Sequence, residues 1–128
     1  MSTPHWTPKE DDEQMALFRW AAYNAGKYPQ LANMYHVPNG GGRSKAEAGR
    51  FKAMGVKRGV PDICLDWPAG GFHGLRIELK RLKRGRPSPE QLEWGERLTR
   101  AGYCWRICRG WGEAAALIED YLRGRVTP

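Results

Sequence analysis

Two carboxylates and a lysine carry the most pointed chemistry in this chain. Glu78 and Lys80 lie two residues apart in Leu75-Arg76-Ile77-Glu78-Leu79-Lys80, a run that alternates strictly between apolar and polar. Period-two alternation is that of a strand, so Leu75, Ile77 and Leu79 share one face and Arg76, Glu78 and Lys80 the other, outward one. Asp62 follows Pro61 at the start of an earlier short apolar strand ending in Ile63-Cys64-Leu65. The Gly-rich turn Pro68-Ala69-Gly70-Gly71 lies between the two runs, which therefore form a hairpin. Antiparallel pairing can bring Asp62 beside Glu78. Two converging carboxylates are hard oxygen donors suited to Mg²⁺ or Mn²⁺, ions that keep several waters and bridge to a substrate phosphate. Such an ion polarises the phosphate and generates a hydroxide nucleophile. A lysine at that point can orient or deprotonate the attacking water and stabilise developing charge. Hydrolysis of a phosphodiester requires those functions. Singly, each feature is ordinary: Pro-Asp opens many turns, and Glu-x-Lys on a strand is usually a solvated ion pair. Their conjunction on consecutive strands is the signal.

Charge supports a polyanionic partner. The chain has 128 residues with a net charge of +7 and a pI near 9.6, and phosphate backbones are the commonest partner of a basic surface. Lys80, Arg81, Lys83, Arg84 and Arg86 cluster, and Lys57-Arg58 precede Gly59 and the Pro61-Asp62 pair. A solvated basic loop is the ordinary explanation of such a cluster, so charge alone does not decide. The length suits one domain, with a core over about residues 7 to 123 and short tails. No stretch approaches the roughly 18 consecutive apolar residues of a membrane span, and Met1 to His5 lack the layout of a secretory signal. Cys64, Cys104 and Cys108 are odd in number and show no CxxC spacing, which suits buried thiols in a reducing compartment. The expected residence is cytoplasmic, in a bacterial cell or a phage-infected host.

The elements that must position these residues can be read in order. Thr7-Pro8-Lys9-Glu10 has the form of a capping box, opening a helix whose apolar face carries Ala16, Leu17, Trp20 and Ala21 and which ends at Asn24-Ala25-Gly26. Tyr28 to Leu31 is a loop, and Met34 to Val37 a short strand stopped by Pro38-Asn39-Gly40-Gly41-Gly42. Ser44-Lys45-Ala46-Glu47 opens a second helix carrying Ala48, Phe51 and Met54 and ending at Gly55. After the hairpin, Ser88-Pro89-Glu90-Gln91 opens a third helix ending near Gly102, Tyr103 to Arg109 is a strand with Cys104 and Cys108 on one face, and Gly112 to Leu122 is a closing helix. The order α-β-α-β-β-α-β-α predicts an α/β fold, a mixed central sheet flanked by helices.

Gly59-Val60-Pro61-Asp62 followed by Gly74-Leu75-Arg76-Ile77-Glu78-Leu79-Lys80 resembles the PD-(D/E)XK nuclease superfamily, and the whole chain is similar to a stand-alone VRR-NUC domain of the phage and bacterial type. The resemblance spans roughly residues 10 to 123 and includes His36-Val37-Pro38-Asn39-Gly40-Gly41, Ser88-Pro89-Glu90-Gln91, and Gly102-Tyr103 leading to Arg109-Gly110-Trp111. It implies a restriction-endonuclease-like fold and a divalent-metal-dependent endonuclease of DNA, duplex or branched, with a layout similar to Holliday junction resolvases and often a homodimer. It makes Asp62 and Glu78 the metal-binding acids, the Leu79 carbonyl a further ligand, and Lys80 the catalytic lysine. An acidic residue of the first helix also belongs to the pattern. Glu13, with Ala16, Leu17 and Trp20 on its face, fits it better than Glu10, which completes the capping box, or Asp11 and Asp12 near the helix N-terminus. Gln91 matches the glutamine at the start of the following helix, though a capping box explains it equally well.

Around this core, Asn39, Gly41 and Arg43 can meet the phosphate backbone through the Gly-rich loop, and Lys57, Arg58, Arg81, Lys83, Arg84 and Arg86 can supply further backbone contacts. A tight turn before a capped helix is the plainer account of the loop, but three glycines exceed what one turn needs. His36 and His73 lack a spaced partner and are expected to pack or face solvent. Trp20, Trp94 and Trp105 fall within helices or strands and are expected in the core, whereas Trp67 and Phe72, in the hairpin turn, are candidates for a substrate or dimer contact. Two other classes compete: a non-catalytic nucleic-acid-binding module, which has no need of two acids near phosphate, and a protein-interaction adaptor, which leaves the basic loop unexplained.

Overall fold

A computed structural model describes residues 10–38, 44–83 and 85–128. Its centre is the alternating run singled out above, which forms β3 (Leu75–Lys80) with those bounds. β2 (Ile63–Leu65) pairs antiparallel with it in the register Ile63↔Ile77 and Leu65↔Leu75, and β1 (Met34–His36) pairs antiparallel with β2. On the far side β4 (Cys104–Arg109) runs parallel to β3, giving a mixed sheet of order β1-β2-β3-β4. A parallel neighbour requires a crossover, and α3 (Pro89–Arg100) supplies it between β3 and β4.

One face of the sheet carries Ile63, Leu65, Leu75, Ile77, Leu79, Cys104 and Cys108 into the core, where they meet α1 (Glu10–Tyr23) and α4 (Trp111–Leu122) through Leu17, Ala21, Ala114, Ala115, Ile118 and Tyr121. Burial pushes the Cys64 and Cys104 thiols up and the Cys108 thiol to about 12, so all three stay neutral and apolar, as their isolation in the sequence suggested.

The other face is not outward. Glu78 and Lys80 are buried there, and the strand is covered on both sides. The reason is α3, which packs across β4 on the face where Arg76 pairs with Trp105 and Glu78 with Ile107. The sequence shows the alternation but not which helix covers its polar half. Close approach of α3 depends on Gly95, since a Cβ there would lie 2.5 Å from the Trp105 ring.

Several local expectations are refined. The capping residues proposed ahead of α1 lie outside the described residues. The segment after Tyr28, expected as a loop, is a 3-10 turn over Pro29–Asn33 with Pro29 at its start and Leu31 buried. Phe72 is a core residue against Tyr121, with ring centroids 6.2 Å apart, so it is not an exposed contact. Trp67 is exposed and offers its carbonyl to the Tyr121 hydroxyl at 2.6 Å. α2 (Lys45–Ala53) forms where expected, with Ser44 Oγ accepting from the Glu47 N–H, yet it buries none of its residues. No helix among the described residues is long and apolar enough to cross a membrane.

The Gly95 contact is testable. Gly95→Ala gains helix propensity of about 1 kcal/mol but forces a methyl into the Trp105 ring, an overpacking cost of about 1–3 kcal/mol. The denaturation midpoint should fall for Gly95→Ala and rise for Gly49→Ala in α2, where nothing lies within 4 Å of the added carbon. Equal midpoints for the two variants would contradict this packing.

Candidate metal and nucleic-acid site

Asp62 stands where the hairpin ladder stops. Main-chain pairing between β2 and β3 ends at Ile63↔Ile77, and just beyond it the Asp62 carboxylate takes over: Leu79 N–H donates to Oδ2 at 2.9 Å. Its main chain is held too, because the Asp62 carbonyl accepts from Val37 N–H at 2.8 Å and lies 3.0 Å from His36 Nδ1. The end of β1 thus clamps the acid from behind, with buried Pro61 just before it. His36, expected only to pack or face solvent, helps to position Asp62; the β1–β2 register needed to see this is not visible in a local pattern.

Glu78 is 1% exposed and Lys80 is 7% exposed. Glu78 Oε1 accepts from Gln91 Nε2 at 2.8 Å and lies 3.9 Å from Lys80 Nζ. The first is a charge-assisted hydrogen bond; the second is an ion pair beyond hydrogen-bond length. Gln91 is fixed from its other end: Ser88 N–H donates to Gln91 Oε1 at 2.8 Å, and Gln91 N–H donates to Ser88 Oγ at 3.2 Å. The capping box and the site contact are therefore one arrangement. Because Oε1 is committed to the N-cap, the amide NH₂ is turned toward Glu78.

The donors suit a hard cation. Lys80 C=O accepts from Gly110 N–H on the β4 side, so by strand alternation Leu79 directs both its N–H and its C=O to the opposite side, where Asp62 stands. Asp62, Glu78 and the Leu79 carbonyl supply oxygen donors from neighbouring strand positions. Two carboxylates with a carbonyl and waters fit the Mg²⁺ pattern, which rarely uses a full protein cage. Among the described residues no group of three or more His, Cys, Asp or Glu side chains that could hold a metal occurs.

Glu13 sits differently. It is buried, and its Oε2 accepts from the Trp111 N–H at 2.9 Å. α4 has Gly110 at its N-cap and no side-chain cap of its own, so a carboxylate from α1 fills that place, favoured by the helix dipole. Gly110 N–H in turn donates to the Lys80 carbonyl at 3.0 Å. Glu13 is thus joined to the Lys80 main chain through the α4 N-terminus.

Lys57, Arg58, Arg81, Lys83 and Arg86 are exposed. Arg81 follows Lys80 directly, and the segment through Arg86 leads into Ser88 and Gln91, so both ends of the basic loop meet the site. Asn39, Gly41, Arg43 and Arg84 lie outside the described residues. Arg58 C=O accepts from Trp94 Nε1 at 2.9 Å, and a Cβ on Gly59, whose φ is +83°, would lie 2.6 Å from the Glu90 carbonyl carbon. That close seat, which sequence reasoning did not assign, brings Lys57-Arg58 beside Gln91; the glycine itself was the available sign. His73 stacks edge-on against Tyr103 and has no part in the cluster.

This architecture, a mixed sheet flanked by helices with buried Glu78 and Lys80 on an inner strand, is the restriction-endonuclease-like α/β fold. No family model and no curated protein matches the chain. Among solved structures, one described as "VRR_NUC domain protein" superposes with a TM-score of 0.77 at 33% identity, covering 90% of this chain and 88% of that one. The chain belongs to the VRR-NUC family, a family of nuclease-type domains.

Gln91 serves the helix cap and the site at once. Gln91→Glu keeps the capping box, because glutamate serves as well at that position, but replaces the donor to buried Glu78 with a second carboxylate. Stability should fall by about 1–3 kcal/mol, the cost of leaving a buried acceptor without its donor, and divalent-metal affinity or activity should fall about 10- to 100-fold, the usual effect of removing a supporting contact. A variant with unaltered affinity and activity would show that the Gln91–Glu78 bond is without consequence.

Proposed function

We propose that this protein is a divalent-metal-dependent endonuclease that hydrolyses DNA phosphodiester bonds. The observation that carries the reading is the buried Glu78 carboxylate, held by Gln91 and Lys80 beside Leu79, whose N–H holds Asp62. Leaving such charges out of water is costly unless they are matched by partners or a cation, and two acids beside basic segments serve no purpose in a pure phosphate binder.

When bound, Mg²⁺ or Mn²⁺ would polarise a phosphate oxygen and lower the pKa of a water; Asp62, Glu78 and the Leu79 carbonyl would hold it. Lys80 is the group available to orient the attacking water, accept its proton in the neutral form, or stabilise charge on the phosphate in the protonated form. Gln91 holds Glu78 in place, and Glu13 acts as a positioning residue through Gly110 and the Lys80 main chain. Lys57, Arg58, Arg81, Lys83 and Arg86, with Asn39, Gly41, Arg43 and Arg84, neutralise the phosphates on either side. The substrate is duplex or branched DNA; one chain presents one site, and cutting two strands symmetrically would use a two-fold dimer.

In a panel of end-labelled single-strand, duplex, flap and four-way-junction DNA, a duplex or branched form should be cut with Mg²⁺ or Mn²⁺ and spared in EDTA. Asp62→Asn keeps the acceptor for Leu79 N–H but weakens the cation site, and Lys80→Ala removes the ammonium; each should lower the rate about 100-fold or more with the fold intact. Full activity in either purified variant sinks the assignment.

A further inference from the structure

Between β1 and β2 the chain leaves the sheet, forms α2 and returns. From Ser44 to Arg58 every residue is exposed except half-buried Phe51, and α2 buries nothing. Helices in globular proteins draw most of their stability from a packed face, and a nine-residue helix is marginal in water by itself. Such a helix therefore gains most from a partner outside its own fold.

The chemistry of the segment says which partner. Lys45, Arg50, Lys52, Lys57 and Arg58 stand against the single acid Glu47, and none of these basic side chains forms an ion pair among the described residues. Lys45 and Lys52 are seven residues apart, so they share one face about 10 Å from each other along the axis. Between them on that face lie Ala48 and Gly49, and a Cβ built on Gly49 meets nothing within 4 Å. The result is a smooth strip bounded by two ammonium groups, with half-buried Phe51 turned away from it. A strip of this kind admits a phosphate backbone closely.

Both roots of the excursion touch the site. On one side His36 and Val37 hold the Asp62 carbonyl. On the other, Arg58 is held by Trp94, and Gly59 seats against the Glu90–Gln91 backbone, next to the side chain that holds Glu78. We propose that α2 is a second DNA-contacting arm, in which Lys45 and Lys52, flanking Ala48 and Gly49, seat on the sugar-phosphate backbone of the tract adjoining the scissile phosphate. Such contacts fix register and carry no base information. The proposal rests on the reading of the protein as DNA-directed.

The test uses full-length Asp62→Asn protein in Mg²⁺, a labelled duplex, and affinity measured against salt. Lys45→Gln with Lys52→Gln preserves helix propensity and should reduce the slope of log affinity against log salt by about 1.8, two phosphate contacts' worth. Gly49→Glu, which meets no steric obstacle and gains helix propensity, should weaken binding about tenfold while circular dichroism shows the fold retained and the melting midpoint no lower than that of the parent protein. Unaltered affinity and slope in both variants overturn the proposal. So does a slope that holds while sedimentation shows a dimer turned to monomer, which would make α2 an interface between copies. The wild-type cleavage assay decides the nuclease reading separately. Wild-type protein that cuts nothing yet binds duplex, with the slope reduced in the variant, removes that reading and leaves the arm standing. Absence of duplex binding overturns the arm.

Discussion

A carboxylate and an ammonium group that are both nearly removed from water set the terms for everything around them. Glu78 and Lys80 are buried on an inner strand, β3, of the sheet, and the effective desolvation penalty for such groups is several kcal/mol each. Attraction between charges 3.9 Å apart offsets part of it, and the Gln91 amide offsets more through a 2.8 Å bond to the carboxylate. A fold optimised only for stability would carry apolar residues at these positions. Retention of the pair, with Asp62 drawn in by Leu79 N–H, makes the rest of the structure intelligible as a scaffold for one charged site.

That scaffold places each site residue by a contact that also has a structural task. Gln91 caps α3 and orients Glu78. Asp62 continues the hairpin past its last main-chain pair and presents an acid. Glu13 caps α4 and, through Gly110, ties that helix to the Lys80 carbonyl. Gly59 lets the chain carrying Lys57-Arg58 come against the start of α3. Coupling of this kind means that side-chain positions are set by helix ends and strand ends, the parts of the fold whose backbone groups most need partners.

Much of this was legible in residue order. The alternation from Leu75 to Lys80 defined β3 to the residue, and Ser88-Pro89-Glu90-Gln91 marked the start of α3, because these signals are local. The neighbourhood of Asp62 and Glu78 followed from one hairpin. What could not be read is what depends on contacts between distant elements. The cover of α3 over the polar face turned an outward strand face into a buried one, and the seat of Phe72 on Tyr121 moved a turn residue into the core. The tie from Glu13 to Trp111 spans nearly the whole chain, so helical spacing aimed Glu13 inward but could not say what it would meet. For α2, capping predicted a helix correctly, but what Ala48, Phe51 and Met54 would meet depends on distant elements, and the helix buries none of its residues.

The central claim is that Asp62 and Glu78 form a site for a divalent cation, and the most direct measurement is Mn²⁺ binding by titration calorimetry in the absence of DNA. The wild-type protein should bind Mn²⁺ saturably, and Asp62→Asn and Glu78→Gln, each confirmed as folded by its melting transition, should lose that binding. Retention of wild-type affinity in both variants, or no binding by the wild-type protein, would contradict the account.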